Sequence, residues 1–88
     1  MQIESEKDFF EIQKLLLIWR KRFPMFKNDV IQIEKIIDHH IQTHSRIMVL
    51  YRQTHNKSHL EKAQREIDAI NRTLATVEKL ELMAMLSR

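Results

Sequence analysis

The chain has 88 residues, no glycine, no cysteine, a single proline and a net charge of +3 at pH 7. Such a length supports one domain around one core. Without glycine there is no phosphate-cradling loop, dinucleotide fingerprint, nucleophile elbow or EF-hand turn, and without cysteine there is no disulfide framework, thiol nucleophile or thiolate zinc site. A soluble chain of this size ordinarily carries about six glycines. Their absence, with Pro24 as the one helix breaker, predicts an all-helical protein.

The first six residues, Met1-Gln2-Ile3-Glu4-Ser5-Glu6, are acidic where a targeting peptide is basic, and the longest apolar run, Leu15 to Trp19, is too short to cross a bilayer. A soluble intracellular protein is expected, its compartment undetermined. The mildly basic balance permits contact with nucleic acid without demanding it.

A first helix is predicted over 5–23. Ser5 is placed to cap it, with Asp8 three residues on to complete a box and to favour the positive end of the dipole. Phe9, Ile12, Leu16, Trp19 and Phe23 form an apolar stripe in 3,4 spacing. Phe10, Leu15, Leu17 and Ile18 widen it, so this helix needs two neighbours, or one neighbour and a partner molecule. Phe23-Pro24 ends it, since proline lacks an amide hydrogen and pushes its predecessor out of helical geometry.

A second helix is predicted over 28–54, started by Asn28 or Asp29 with Gln32 closing a box. Its buried face reads Val30, Ile33, Ile37, His40, His44, Ile47 and Tyr51, reinforced by Ile36, Ile41 and Leu50. Thr54-His55-Asn56-Lys57 is the turn, with Asn56 expected in the left-handed conformation. Ser58-His59-Leu60-Glu61 reads as a capping box opening a third helix over 58–87, whose seam is Leu60, Ala63, Ile67, Ile70, Leu74 and Val77. Two helices of about 27 residues, each roughly 40 Å long, joined by a short turn, predict a long antiparallel coiled-coil-like hairpin. Its open end is made apolar by Leu80, Leu82, Met83, Ala84, Met85 and Leu86, and the first helix is placed to cover part of it. No internal repeat, low-complexity segment or linker interrupts the 1–88 unit.

Candidate chemistry is sparse. His40 with His44, and His55 with His59, stand four apart, as two metal ligands on one helical face do. Asp38 and His39 lie on a different face, however, and the pairs fall short of a ligand set. Histidines bonded across the hairpin, or polar seam residues that fix register, account better for them. No metal or other cofactor is expected. Ser45, His44 and Asp38 cannot form a triad, because neighbouring helical residues point about 100° apart. Glu78 with Glu81, and Glu4 with Glu6, lie among solvated charges, with nothing to raise a carboxyl pKa. A non-enzymatic role is expected.

Trp19-Arg20-Lys21-Arg22-Phe23, followed by Lys27, is the local basic cluster, and its aromatics could stack on nucleic acid. Cations in a last helical turn also complement the helix dipole. Anionic membrane is a weaker candidate, since Glu6, Asp8 and Glu11 share the polar face of the same helix. The methionines, Met48, Met83 and Met85 among them, suit either core filling or an adaptable binding surface.

Leu50-Tyr51-Arg52 resembles the tripeptide that names the LYR-motif family of mitochondrial three-helix proteins, and the resemblance implies a small adaptor or assembly factor. It covers three residues. In that family the tripeptide stands near the chain start with two further helices behind it, whereas one helix follows here, and the position of Tyr51 on the seam gives it a packing role without the family.

The expected function is therefore that of a non-catalytic protein–protein interaction module, either a small accessory subunit of a larger assembly or a stoichiometric inhibitor or regulator of phage or mobile-element type. The expected contact residues are Phe9, Phe10, Leu17, Trp19, Met83 and Leu86, with Trp19 as anchor. Its partner is expected to be another protein or a second copy. The alternative is a nucleic-acid- or ribosome-associated helical protein using Arg20, Lys21, Arg22 and Lys27. Neither a membrane nor a small molecule is expected as partner.

Overall fold

A computed structural model describes residues 2–86. Its order is a 3₁₀ turn at Glu6–Asp8, helix α1 at Phe9–Arg22, a second 3₁₀ turn at Pro24–Phe26, helix α2 at Lys27–Thr54 and helix α3 at Lys57–Leu86. The expected all-α class, with a dominant antiparallel hairpin and an N-terminal amphipathic helix, is the observed one. The molecule measures 52 × 18 × 16 Å. The hairpin of α2 and α3 sets the long dimension, while α1, with 14 residues and about 21 Å of length at 1.5 Å per residue, reaches along roughly half of it.

The three seams interlock as their spacing requires. α1 buries Phe9, Ile12, Leu16 and Trp19, and Phe23 follows them into the core. α2 contributes Val30, Ile33, Ile37 and His44, and α3 contributes Ala63, Ile67, Ile70, Leu74, Val77 and Ala84. Ile12, Ile37, Ile70 and Leu74 are fully enclosed. Each such side chain contributes roughly 1.5–3 kcal/mol relative to an exposed one. Ile3, ahead of the helices, is also in this core; the local periodicity gave no reason to place it there. Leu60, expected at the head of the α3 seam, is largely exposed, because α1 does not extend to the turn end.

The punctuation differs in detail from expectation. The first element opens as a 3₁₀ turn, where Asp8 Oδ2 accepts the amide hydrogens of Glu4 and Ser5 at 3.0 and 3.3 Å. Phe23, at φ −123° and ψ 73°, breaks the helix before Pro24 as proline sterics require. α2 then starts at Lys27 by running directly out of the second 3₁₀ turn, so Asn28 and Asp29 lie within its first turn and do not cap it.

At the hairpin turn the left-handed residue is His55, at φ 55° and ψ 23°, and not Asn56. Asn56 is used for something else. Its Oδ1 accepts the Ser58 amide hydrogen at 3.0 Å, capping α3 two residues ahead of the expected Ser58 cap. An Asx oxygen one residue before the helix reaches the second helical amide without strain, which leaves the preceding position to absorb the left-handed conformation. The expected end of the third helix at residue 87 lies outside the described residues.

Candidate interaction surfaces

Because α1 points Phe9, Ile12, Leu16 and Trp19 inward, residues 10, 14, 17, 18 and 21 fall on its outer side. Phe10, Leu17 and Ile18 are 64%, 50% and 55% exposed there. Lys14 Nζ lies 4.5 Å from the centre of the Phe10 ring and 3.8 Å from a Glu11 carboxylate oxygen. Beside them, Glu11, Lys14, Leu15 and Ile18 line a shallow groove of about 270 Å³. A second apolar surface occupies the open end of the hairpin, where Met25, Leu82, Met83, Met85 and Leu86 are exposed.

The expected contact set thus divides. Phe10, Leu17, Met83 and Leu86 stand on the surface, whereas Phe9 and Trp19 are 7% and 5% exposed and belong to the core. The expectation of Trp19 as anchor is corrected. Trp19 shares the inward stripe with Ile12 and Leu16, so the large ring that looked suited to a partner is already used against the hairpin. Phe9 packs edge-on against His44, with ring centres 5.2 Å apart.

The basic end of α1 is partly used within the chain. Arg20 is bonded to Glu34 of α2, and Arg22 lies 3.8 Å from Glu81 of α3. Lys21 and Lys27 remain exposed. A second cation-rich stretch, not contiguous along the chain, spans the hairpin turn. Residues 46–65 hold Arg46, Arg52, Lys57, Lys62 and Arg65 against one carboxylate, Glu61. All five cations are exposed. Arg52 sits 4.0 Å from Glu6, and the other four form no ion pair among the described residues. The signal lay in a count across the turn, which a reading of contiguous basic runs passes over.

The two seam histidines have different environments. His40 Nδ1 is 2.5 Å from Glu66 Oε2, a contact across the hairpin. His44 is buried, its Nδ1 has no hydrogen-bond partner, and burial pushes its pKa below the ordinary 6.5, with the carboxylates of Glu6 and Glu66 opposing that shift. Among the described residues, no three His, Cys, Asp or Glu side chains converge as a metal set. No described helix is long and apolar enough to cross a membrane.

In the tripeptide Leu50-Tyr51-Arg52, Leu50 is exposed, Tyr51 is half-buried with its ring edge toward His55, and Arg52 faces Glu6. Comparison with protein-family models, curated proteins and solved structures finds no match for this chain.

Proposed function

We propose that this chain is a non-catalytic protein–protein interaction module, acting as an accessory subunit or as a stoichiometric inhibitor or regulator. The observation that carries this reading is the outer face of α1. A 14-residue helix that buries one complete stripe still exposes Phe10, Leu17 and Ile18 on the other, and clustered exposed apolar side chains are the ordinary mark of a contact surface. The open end, with Met83 and Leu86, offers a second and more adaptable patch.

A second reading, contact with nucleic acid, is favoured by one specific observation: the excess of cations around the hairpin turn, of which Arg46, Lys57, Lys62 and Arg65 form no ion pair among the described residues. It draws less support from Arg20 and Arg22, whose charges face carboxylates of the same chain.

Affinity capture from a lysate of the source cell, with and without nuclease and repeated in high salt, separates the two. An apolar contact resists salt, whereas phosphate contacts weaken steeply with it. A protein partner that survives both treatments and is lost with Leu17→Glu supports the interaction module. Nucleic acid that is lost with Lys62→Glu and Arg65→Glu, and retained with Leu17→Glu, replaces that reading with the second.

A further inference from the structure

We propose that the face of the hairpin turned away from α1 receives an acidic amphipathic helix of a partner protein, laid along the groove between α2 and α3. The inference rests on the interaction-module reading and adds to it a second site and the chemistry of its partner. α1 and the segment before it meet α2 at Glu34 and Arg52 and α3 at Asn71 and Glu81, so one side of the hairpin is taken. On the other side, Ile33, Ile36 and His40 of α2 and Ala69, Arg72 and Thr73 of α3 line an open groove of about 410 Å³. Among the described residues, no other element contributes to it.

Two rows of side chains border this groove, and their charge is of one sign. In 3,4 spacing, Lys62, Arg65, Ala69, Arg72 and Thr76 run along α3, and Ile36, His39, Thr43, Arg46 and Leu50 run along α2. Neither row holds a carboxylate over that span. The α2 row reaches one at Asp29, two turns before Ile36, whereas the α3 row continues to another cation, Lys79. Arg46, Lys62, Arg65 and Arg72 are exposed and form no ion pair among the described residues. Three carboxylates stand beside the rows and leave the excess in place. Glu66 is held by His40 across the hairpin, Asp68 accepts a hydrogen bond from the Gln64 side chain at 3.1 Å, and Glu61 lies one row further out on α3. Exposed cations along an apolar groove favour a partner whose carboxylates flank an apolar stripe.

The composition of the rows favours a helix over a nucleic-acid strand. Ile36 and Leu50, 47% and 45% exposed, share the α2 row with Arg46, and Ile33 and Ala69 line the groove beside them. These are aliphatic contacts. No Phe, Tyr or Trp stands in either row to stack a base. From Ile36 to Leu50 the α2 row runs about 21 Å at 1.5 Å per residue, which accommodates about four turns of a helix laid along it. Apolar anchors of such a helix at i, i+3, i+4 and i+7 enter the groove. Its flanking carboxylates then lie within reach of Arg65 and Arg72 on one wall and Arg46 on the other.

Fluorescence anisotropy tests this, using the full chain and a labelled synthetic peptide of about 18 residues with leucine on one helical face and glutamate on its flanks. Circular dichroism confirms unchanged helicity in each surface variant. The wild type is expected to bind the peptide saturably, one to one. Arg72→Glu should weaken binding about tenfold or more by setting like charges together. Ile36→Ser, which leaves every charge in place, should weaken it about threefold or more through lost apolar contact, and Leu17→Ser on α1 should leave it unchanged. Absence of binding, equal binding of a peptide of the same composition in scrambled order, or indifference to Ile36→Ser overturns the proposal. A single-stranded oligonucleotide that binds more tightly than the peptide and ignores Ile36→Ser overturns it in favour of a nucleic-acid surface. Peptide binding lost with Leu17→Ser and kept with Arg72→Glu overturns the groove alone and leaves the interaction module standing on α1.

Discussion

The side-chain amide of Asn71 holds the backbone of Ile3 from both sides: Asn71 Oδ1 accepts the Ile3 amide hydrogen at 2.7 Å, and Asn71 Nδ2 donates to the Ile3 carbonyl at 3.0 Å. The two residues are 68 positions apart. The contact fixes the start of the chain against the middle of α3 and so sets where α1 begins its descent along the hairpin. It also allows Ile3 to enter the core without leaving its own peptide groups unpaired.

Asn71→Ala should therefore destabilise the fold by about 1–3 kcal/mol, the cost of leaving partly buried backbone groups without partners. Urea denaturation measures the loss. Faster hydrogen exchange at the Ile3 amide, with little change in the middle of α2, would localise it to the N-terminal segment.

Trp19→Ala should cost about 3–5 kcal/mol, as expected for truncating a buried aromatic. Leu17→Ala, on the exposed side of the same helix, should change stability by less than about 0.5 kcal/mol. Thermal melts of both variants check the inward assignment of Trp19. A larger loss for Leu17→Ala than for Trp19→Ala would mean that the two faces of α1 are exchanged.

Ile70, which has no exposed surface, tests the hairpin seam. Ile70→Asp buries a carboxylate in the apolar core that also holds Leu74, Ile67 and Ile37, a change worth about 3 kcal/mol or more. Loss of the cooperative helical melt by circular dichroism is the expected outcome.

At the hairpin turn the order of effects distinguishes the two candidate caps. Asn56→Ala should cost about 1 kcal/mol by removing the oxygen that accepts the Ser58 amide hydrogen, and Ser58→Ala should cost much less. His55→Gly should stabilise the turn by about 1 kcal/mol, since glycine takes the left-handed conformation without the Cβ clash. Chemical denaturation midpoints of the three variants give the ranking.

His44 makes the fold sensitive to acid. Its pKa in the folded chain lies below 6.5 because burial against Phe9 penalises the imidazolium more than Glu6 and Glu66 favour it. Between the folded value and 6.5, the unfolded chain holds a proton that the folded chain lacks, so stability rises with pH across that window and is lost as pH falls below about 6.5. The loss stops growing once the folded histidine also protonates. His44→Leu should remove this contribution, and comparing its stability with the wild type at pH 7.5 and pH 5 isolates the effect from the other four histidines. A difference that is the same at both values would show that His44 does not carry it.

Much of the fold could be read from the chain because helical burial is a local periodic property. The α1 stripe of Phe9, Ile12, Leu16, Trp19 and Phe23 and the α3 seam from Ala63 to Val77 are all buried. The candidate site was less legible for two reasons. α1 is apolar on both sides, so its sequence alone does not tell a core ring such as Trp19 from a surface one such as Phe10. Charges also acquire meaning from what they face. Arg20 and Arg22 form a conspicuous run along the chain, yet Glu34 and Glu81 lie against them in space.

The three helices, the proline break, the short turn and most of each buried stripe were legible in the residues alone, because spacing and proline sterics act over a few residues; Ile36, Leu50 and Leu60, expected on buried faces, are exposed. Tertiary structure alone decided which apolar surface remained outside, which cations were already matched, and that Asn71 would close on Ile3. Those outcomes depend on the way three helices of unequal length lie against one another. A 14-residue helix beside a hairpin of 28- and 30-residue helices covers only part of it, and what it covers is fixed by contacts between residues far apart in the chain.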